Sequence, residues 1–396
     1  MTRTLLAVTL SVIVAAGCQS NPAAEVSRRN AAKTSWNATR AGVLYSLARN
    51  QFETGNFDAC RRTLDEALLL APASVPLHIL SARLHIELGK LDRAEAQLAA
   101  ARNIDPKNAE IEYLSGIVRQ RWQRPQEALE CYERAAALDE SELAYLLART
   151  EMLVVLGRRA EAQRLLRENL ARHENSAAIR DALGQMLMQD RRYADAAAVL
   201  RQAVVLASDE TGIREHFALA LYYAGEYAEA AVHLERLLRD EQRARRADLH
   251  MALGECRLHL GDARAARESL ETAIEIQPFY VPLWLSLTKT ALALNDLNRA
   301  DLALRKALAL DAGNAETHLI LGCVRLRQNR LDEALAAFRK AAELQPSDPV
   351  AVCMIGYALE SQGRTDAAIE YYGRALQLNP DDELASTLLV QARRDR

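Results

Sequence analysis

Small and large apolar residues recur along this chain with a period of 34 residues. The segments "GKLDRAEAQLAAARNIDPKN" (89–108), "NRLDEALAAFRKAAELQPSD" (329–348) and "GRTDAAIEYYGRALQLNPDD" (363–382) show it most plainly. Ten units follow, starting at Ala41, Val75, Ala109, Leu143, Ala177, Thr211, Ala247, Val281, Ala315 and Pro349, and only the sixth is longer, at 36 residues. The eighth residue of each unit is small (Ala48, Gly116, Thr150, Gly322), and so is the twentieth (Cys60, Ala94, Ala334, Ala368). The twenty-fourth is large and apolar, from Leu64 and Leu98 through Tyr132 to Phe338 and Tyr372. Two helices approach closely only where both carry small side chains, and large residues then fill the space left over. The pattern therefore predicts a helix A and a helix B in each unit, packed along a small-against-large seam. Gly or Asn at the fifteenth position in eight units, as in Gly55, Gly89, Asn295 and Asn329, ends helix A in the left-handed conformation. Pro72, Pro106, Pro278, Pro346 and Pro380 stop helix B.

One such unit cannot bury its own apolar face and needs neighbours. Residues 383–396, "ELASTLLVQARRDR", read as the closing helix that caps the stack. In period and in these columns, residues 41–382 resemble the tetratricopeptide repeat family. The resemblance implies an all-α fold, a right-handed α-α superhelix of about ten repeats, with a concave groove lined mainly by helix A. The charged run "RDEQRARRAD" (239–248) holds the two extra residues of the sixth unit and reads either as a lengthened loop or as a hinge dividing 41–246 from 247–382.

In this family the groove is lined by the second, fifth, ninth, twelfth and thirteenth positions of each repeat. Here that face is zoned. Arg49 and Arg83 flank apolar Tyr45, Ile79 and Tyr113 near the N-terminus. Asp181, Glu215 and Glu255 make the centre acidic, beside Tyr222 and Tyr223. Leu285, Leu319 and Tyr357 make the far end apolar. An amphipathic helix or extended peptide fits such a surface, with apolar anchors and a few charges for register. Members that clamp a chaperone's C-terminal carboxylate use Lys at the fifth and Asn at the ninth position, and no repeat here has that pair.

The N-terminus adds a location. "MTRTLLAVTLSVIVAAGC" has one early positive charge, an apolar run too short to span a bilayer, and small residues before Cys18. "AAGC" resembles the lipobox of bacterial lipoproteins, with Ala15 where leucine is usual. That resemblance implies a signal peptide over 1–17, a lipid on Cys18, and a tether over 18–40 in which Trp36 packs on the first helix. Gln19 is not the Asp associated with inner-membrane retention, so the expected address is the outer membrane, facing the periplasm.

Composition narrows the chemistry. Acidic and basic residues are interspersed, with a net charge of −3, and no basic face marks a nucleic-acid binder. No phosphate-binding glycine loop, H-E-x-x-H or G-x-S-x-G occurs. His78 with His85, and His250 with His259, lack the carboxylate or thiol neighbours of a metal set and read as packing residues. Cys60, Cys131, Cys256, Cys323 and Cys353 fit no zinc or redox spacing, and only Cys323 and Cys353 lie on adjacent A helices. The repeats leave no room for a catalytic domain. The expectation is a protein that is not an enzyme, with no cofactor, metal, nucleic acid or small-molecule substrate. Its partners are other proteins, through the groove, and a membrane, through the lipid. Similar lipid-anchored arrays assist pilus assembly, secretion or polysaccharide export. The alternative is an adaptor that regulates a peptidoglycan hydrolase or synthase.

Overall fold

The computed structural model describes residues 22–394, and among them every regular element is an α-helix. They divide into two compact units with the break between Leu166 and Arg167. The helices of the first part are α1 (Pro22–Glu53), α2 (Phe57–Leu70), α3 (Val75–Glu87), α4 (Leu91–Ile104), α5 (Ala109–Arg121), α6 (Pro125–Leu138), α7 (Leu143–Val155) and α8 (Arg159–Asn169). The rest are α9 (Ala177–Gln189), α10 (Tyr193–Leu206), α11 (Thr211–Ala224), α12 (Tyr227–Leu238), α13 (Ala247–His259), α14 (Ala263–Ile276) and α15 (Val281–Ala293). They continue with α16 (Leu297–Leu310), α17 (Ala315–Arg327), α18 (Leu331–Leu344), α19 (Pro349–Ser361), α20 (Thr365–Leu378) and the closing α21 (Glu383–Arg394). Odd numbers are A helices and even numbers are B helices.

Each pair is held by the seam that the period predicts. All ten residues at the twentieth position and all ten at the twenty-fourth are buried. Within one repeat the eighth position faces the twenty-fourth so closely that a Cβ built at Gly322 would fall 2.3 Å from Phe338, and one at Gly116 would fall 2.4 Å from Tyr132. Two of the large residues are phenols whose hydroxyls must stay bonded when buried. Tyr132 donates to Gln120 at 2.7 Å and Tyr372 to Glu360 at 2.5 Å, each reaching back to the end of its own helix A. The turn between A and B is left-handed at the fifteenth position of every repeat, and where glycine or asparagine is missing, Gln123 and Arg191 adopt it with φ of 59° and 58°.

From α1 to α7 and again from α9 to α21, successive helices pack on one another, and A helices also touch the next A helix, as α1 does α3 and α11 does α13. Neighbouring A helices thus share a face, which is where the candidate site residues stand. Helices of both kinds are fastened at their starts by side-chain caps: Asn314, before α17, accepts from the Thr317 N–H at 2.8 Å and Asp262, before α14, from the Ala265 N–H at 3.0 Å.

Two expectations from the sequence change. Residues 22–40, read as part of a tether, are helical and continuous with the first A helix, so α1 runs for 32 residues. Trp36 lies on α1 itself and is 69% exposed, so it does not pack on the first repeat. The loop 239–248 lies inside the second unit. Cys18, the proposed lipid site, lies outside the described residues, as does the segment before it.

Candidate protein-binding faces

In the first unit four of the predicted groove residues come together. Tyr45 and Arg49 on α1, and Ile79 and Arg83 on α3, line one cavity of about 410 Å3 with Phe52, Glu53, Val75, Pro76 and Glu110. Its floor is apolar and its rim is charged. Arg49 Nε donates to Glu53 at 2.8 Å and Arg83 Nη2 to Glu110 at 2.5 Å, so each predicted cation already holds a carboxylate. Both pairs are largely exposed, and such pairs exchange partners at little cost. The hydrogen bond from Arg49 to Glu53 raises the Arg49 pKa, so its charge is permanent. Ile79 is only 7% exposed and contributes the floor, not a gripping side chain. Tyr113 stands on the next A helix, half-buried between Tyr132 and Tyr145 at ring distances of 5.7 and 5.0 Å. Burial pushes its phenol pKa up.

The centre, in the second unit, is not free acid. Asp181 on α9 accepts from Gln185 and pairs with His216 Nδ1 of α11, both at 2.7 Å. That hydrogen bond raises the His216 pKa above its usual 6.5, against the opposing effect of burial. Glu215 is gripped at 3.0 Å by both Arg243 and Arg246, which reach back from the 239–248 run. Arg246 also holds Asp248 at 2.7 Å, a hydrogen bond that keeps the Asp248 carboxyl below its ordinary range. Glu255 accepts from the Tyr222 hydroxyl and from Ser286. The carboxylates read from the fifth and ninth columns are therefore each engaged by other groups: Asp181 and Glu255 by neighbouring repeats, and Glu215 by the loop that ends its own repeat. What the centre does expose is aromatic. Tyr223 stacks on Tyr193 at 5.0 Å, Tyr222 tilts against Tyr223 at 4.8 Å, and Tyr227 stacks on His259 at 4.2 Å.

At the far end the zone is thinner than expected. Leu285 is 3% exposed and belongs to the core. Leu319 packs partly against the terminal apolar cluster, and Tyr357 is exposed. Cys323 and Cys353 are free thiols, and Cys353 is buried. Burial pushes every described thiol up, Cys353 to about 11 and Cys256 to about 12, so they stay protonated. His78 is a satisfied core group, with Nδ1 on Gln97 at 2.7 Å and Nε2 on the Pro72 carbonyl at 2.8 Å. His259 is exposed and stacked, not packed inside. Among the described residues no group of three or more His, Cys, Asp and Glu is placed to hold a metal ion. No helix there is long and apolar enough to cross a membrane.

Three separate tetratricopeptide repeat family models match the chain, at residues 41–66, 63–116 and 151–211. The chain carries tetratricopeptide repeats. A fourth model, for the C-terminal domain of cilia and flagella-associated protein 70, matches residues 211–395. Comparison with curated protein sequences gives no match. Among solved structures the chain is similar to the Cut9–Hcn1 hetero-tetramer of the APC/C, at 14% identity and TM-score 0.47 over 89% of this chain and 96% of that one. It is similar to yeast Tom70 at 13% identity and TM-score 0.48, over 90% and 88%. It is similar to a thermophilic tetratricopeptide repeat protein of Thermus thermophilus at 24% identity and TM-score 0.41, over 46% and 98%.

Within this tetratricopeptide array, single columns missed residues that matter. Glu110, Phe52 and Glu53 stand at the second, twelfth and thirteenth positions of their repeats, all groove-lining, and reading those columns beside the fifth and ninth would have found them. Tyr193 and Tyr227 stand at the seventeenth position, on helix B, where no groove signal exists.

Proposed function

We propose that this protein is a membrane-anchored adaptor of a bacterial cell envelope, holding partner proteins in the cavity between α1 and α3 and assisting assembly of a pilus, secretion or polysaccharide-export machine. A tetratricopeptide array is typically a non-catalytic scaffold for protein–protein interaction, which supports the coarser part of this reading. The observation that supports a peptide partner here is the cavity itself. An apolar floor ringed by two arginines, each holding an exposed carboxylate, suits a peptide that brings one apolar side chain and its own carboxylates. The partner's carboxylates replace Glu53 and Glu110 at little cost, and the buried apolar anchor supplies most of the affinity.

The address rests on the lipobox-like "AAGC" and a lipid at Cys18. Anchoring raises the effective concentration of any partner on the same membrane. The expected test is a photo-crosslinking residue at Tyr45 in living cells. Several structural subunits of one envelope machine in the cross-linked product would support assembly. A single peptidoglycan hydrolase or synthase would replace it with regulation of that enzyme. Separately, Cys18→Ser should release the protein from membranes washed in alkaline carbonate, and retention after that wash would sink the anchor.

A further inference from the structure

The first helix has a face that the rest of the array leaves uncovered. In most later repeats the third and seventh positions are buried where the preceding helix B packs on them, as at Leu77, Leu283, Phe217 and Leu287. No helix B precedes α1 among the described residues, and there the same positions, Val43 and Leu47, are 66% and 47% exposed. At about 100° per residue, Trp36, Val43 and Leu47 fall within an arc of about 40° on α1. Ala41, Tyr45, Ala48 and Phe52, which pack with the first core cluster, lie on the other side of the helix.

Charge selects what covers this face. From Val26 to Asn50 the chain has five basic residues and no acidic one, in a protein of net charge −3. Arg40 and Arg49 are paired, with Glu66 and Glu53. Arg28, Arg29 and Lys33 are exposed and make no ion pair among the described residues. Arg29, Lys33 and Arg40 flank the Trp36 arc on one side and Arg28 lies on the other. A second copy seated there would set these cations against one another, which disfavours self-pairing. A helix with basic residues beside Trp and aliphatic side chains is instead suited to the boundary of an anionic bilayer.

We propose that the outer face of α1, centred on Trp36 with Arg28, Arg29 and Lys33, lies against an anionic phospholipid surface. Neither Cys18 nor an acyl chain enters into this contact, so it stands or falls separately from the lipid anchor. The contact aligns α1 along the membrane and turns its opposite side, which carries Tyr45, away from the lipid.

The test uses the full chain with Cys18→Ser, so that no acyl chain contributes, and vesicles of phosphatidylcholine alone or with about a third phosphatidylglycerol. Binding should favour the anionic vesicles and weaken with added salt. Arg28→Gln, Arg29→Gln and Lys33→Gln together should weaken it by roughly a hundredfold without changing the helical circular dichroism. Tryptophan emission should shift to the blue on anionic vesicles, and Trp36→Phe should abolish the shift while Trp122 and Trp284 remain. Equal binding to both vesicle types, or binding unaffected by the triple substitution, would overturn the proposal. So would a dimer in solution that shields Trp36, which would make the face an interface between copies, or an acidic partner protein that protects Trp36 while vesicles do not. Failure of the anchor would show only in the membrane fractionation of Cys18→Ser, not here.

Discussion

The seam inside each helix pair and the face shared by neighbouring A helices are built on opposite rules. In the seam one volume is filled ten times over: small at the eighth and twentieth positions, large at the twenty-fourth, mostly apolar and nearly all sealed. On the groove face the repeats differ far more. Arg83 reaches forward to Glu110 and Lys289 to Glu316 as the same ninth-to-second ion pair, but Asp181 pairs with His216 and Tyr222 with Glu255, each across a repeat boundary. The seam sets the fold and tolerates little, because packed interiors have no spare volume. The groove face sets what the protein recognises and can vary, because exposed polar pairs contribute little to stability.

The largest effect should come from the seam. Gly322→Ala places a Cβ within 2.3 Å of Phe338, in a position fixed by close packing on both sides. Overpacking of this kind costs about 1–3 kcal/mol, so the urea midpoint should fall clearly. Adding Phe338→Leu should recover part of that loss, because Ala48, Ala82 and Ala218 stand opposite leucines at the same position of their own repeats. If Gly322→Ala leaves the midpoint unchanged, the seam is looser than its geometry indicates.

Next in size is the polar brace at the centre. Glu215 holds Arg243 and Arg246, and Arg243 is well shielded from solvent. Glu215→Gln removes the charge and leaves partly buried guanidinium groups underpaired, at a cost of about 1–3 kcal/mol. The local signature is sharper than the global one. Amide exchange over 239–246 should rise in the variant, while exchange in the α19–α20 pair should not change. Uniform protection across both would mean that the run is held by its backbone alone.

This contrast also explains what could be read beforehand. A volume repeated at fixed spacing prints itself on the sequence, and the helix pairs, turns and closing helix α21 follow from it. The left-handed turn was legible in eight repeats, because Gly and Asn are the residues that accept it, and illegible at Gln123 and Arg191, which adopt it under tertiary packing alone. The acidic centre was misjudged because a column records one partner of each pair. Nothing at positions 181, 215 and 255 says that His216, Arg243, Arg246, Tyr222 and Ser286 will close on them. The continuation of α1 through residues 22–40 was missed because no repeat column extends there. Its composition, rich in Ala and Arg without Gly between Pro22 and Ala41, favours helix all the same.

The front of the groove should separate recognition from stability. Arg83 and Glu110 are both substantially exposed, so Arg83→Ala should shift stability by less than about 1 kcal/mol. The same substitution should sharply lower the yield of partner cross-linked from Tyr45, whereas Lys289→Ala, which breaks an equally exposed pair elsewhere, should not. Equal losses from both would mean that surface charge in general draws the partner, and not this cavity.

The smallest effect is a pH dependence at the centre. The hydrogen bond to Asp181 raises the pKa of His216, so the folded state binds this proton more tightly than the unfolded chain does. The resulting stabilisation is complete below the ordinary pKa of 6.5 and fades as pH rises through the higher folded value. Because the imidazole is 37% exposed, solvent screening keeps the contribution below about 1 kcal/mol. Asp181→Asn should therefore lower the urea midpoint more in mildly acidic buffer than in mildly alkaline buffer, and the two proteins should converge as His216 loses its charge. A gap that instead widens on the alkaline side would mean that the neutral imidazole, through its hydrogen bond alone, ties α9 to α11.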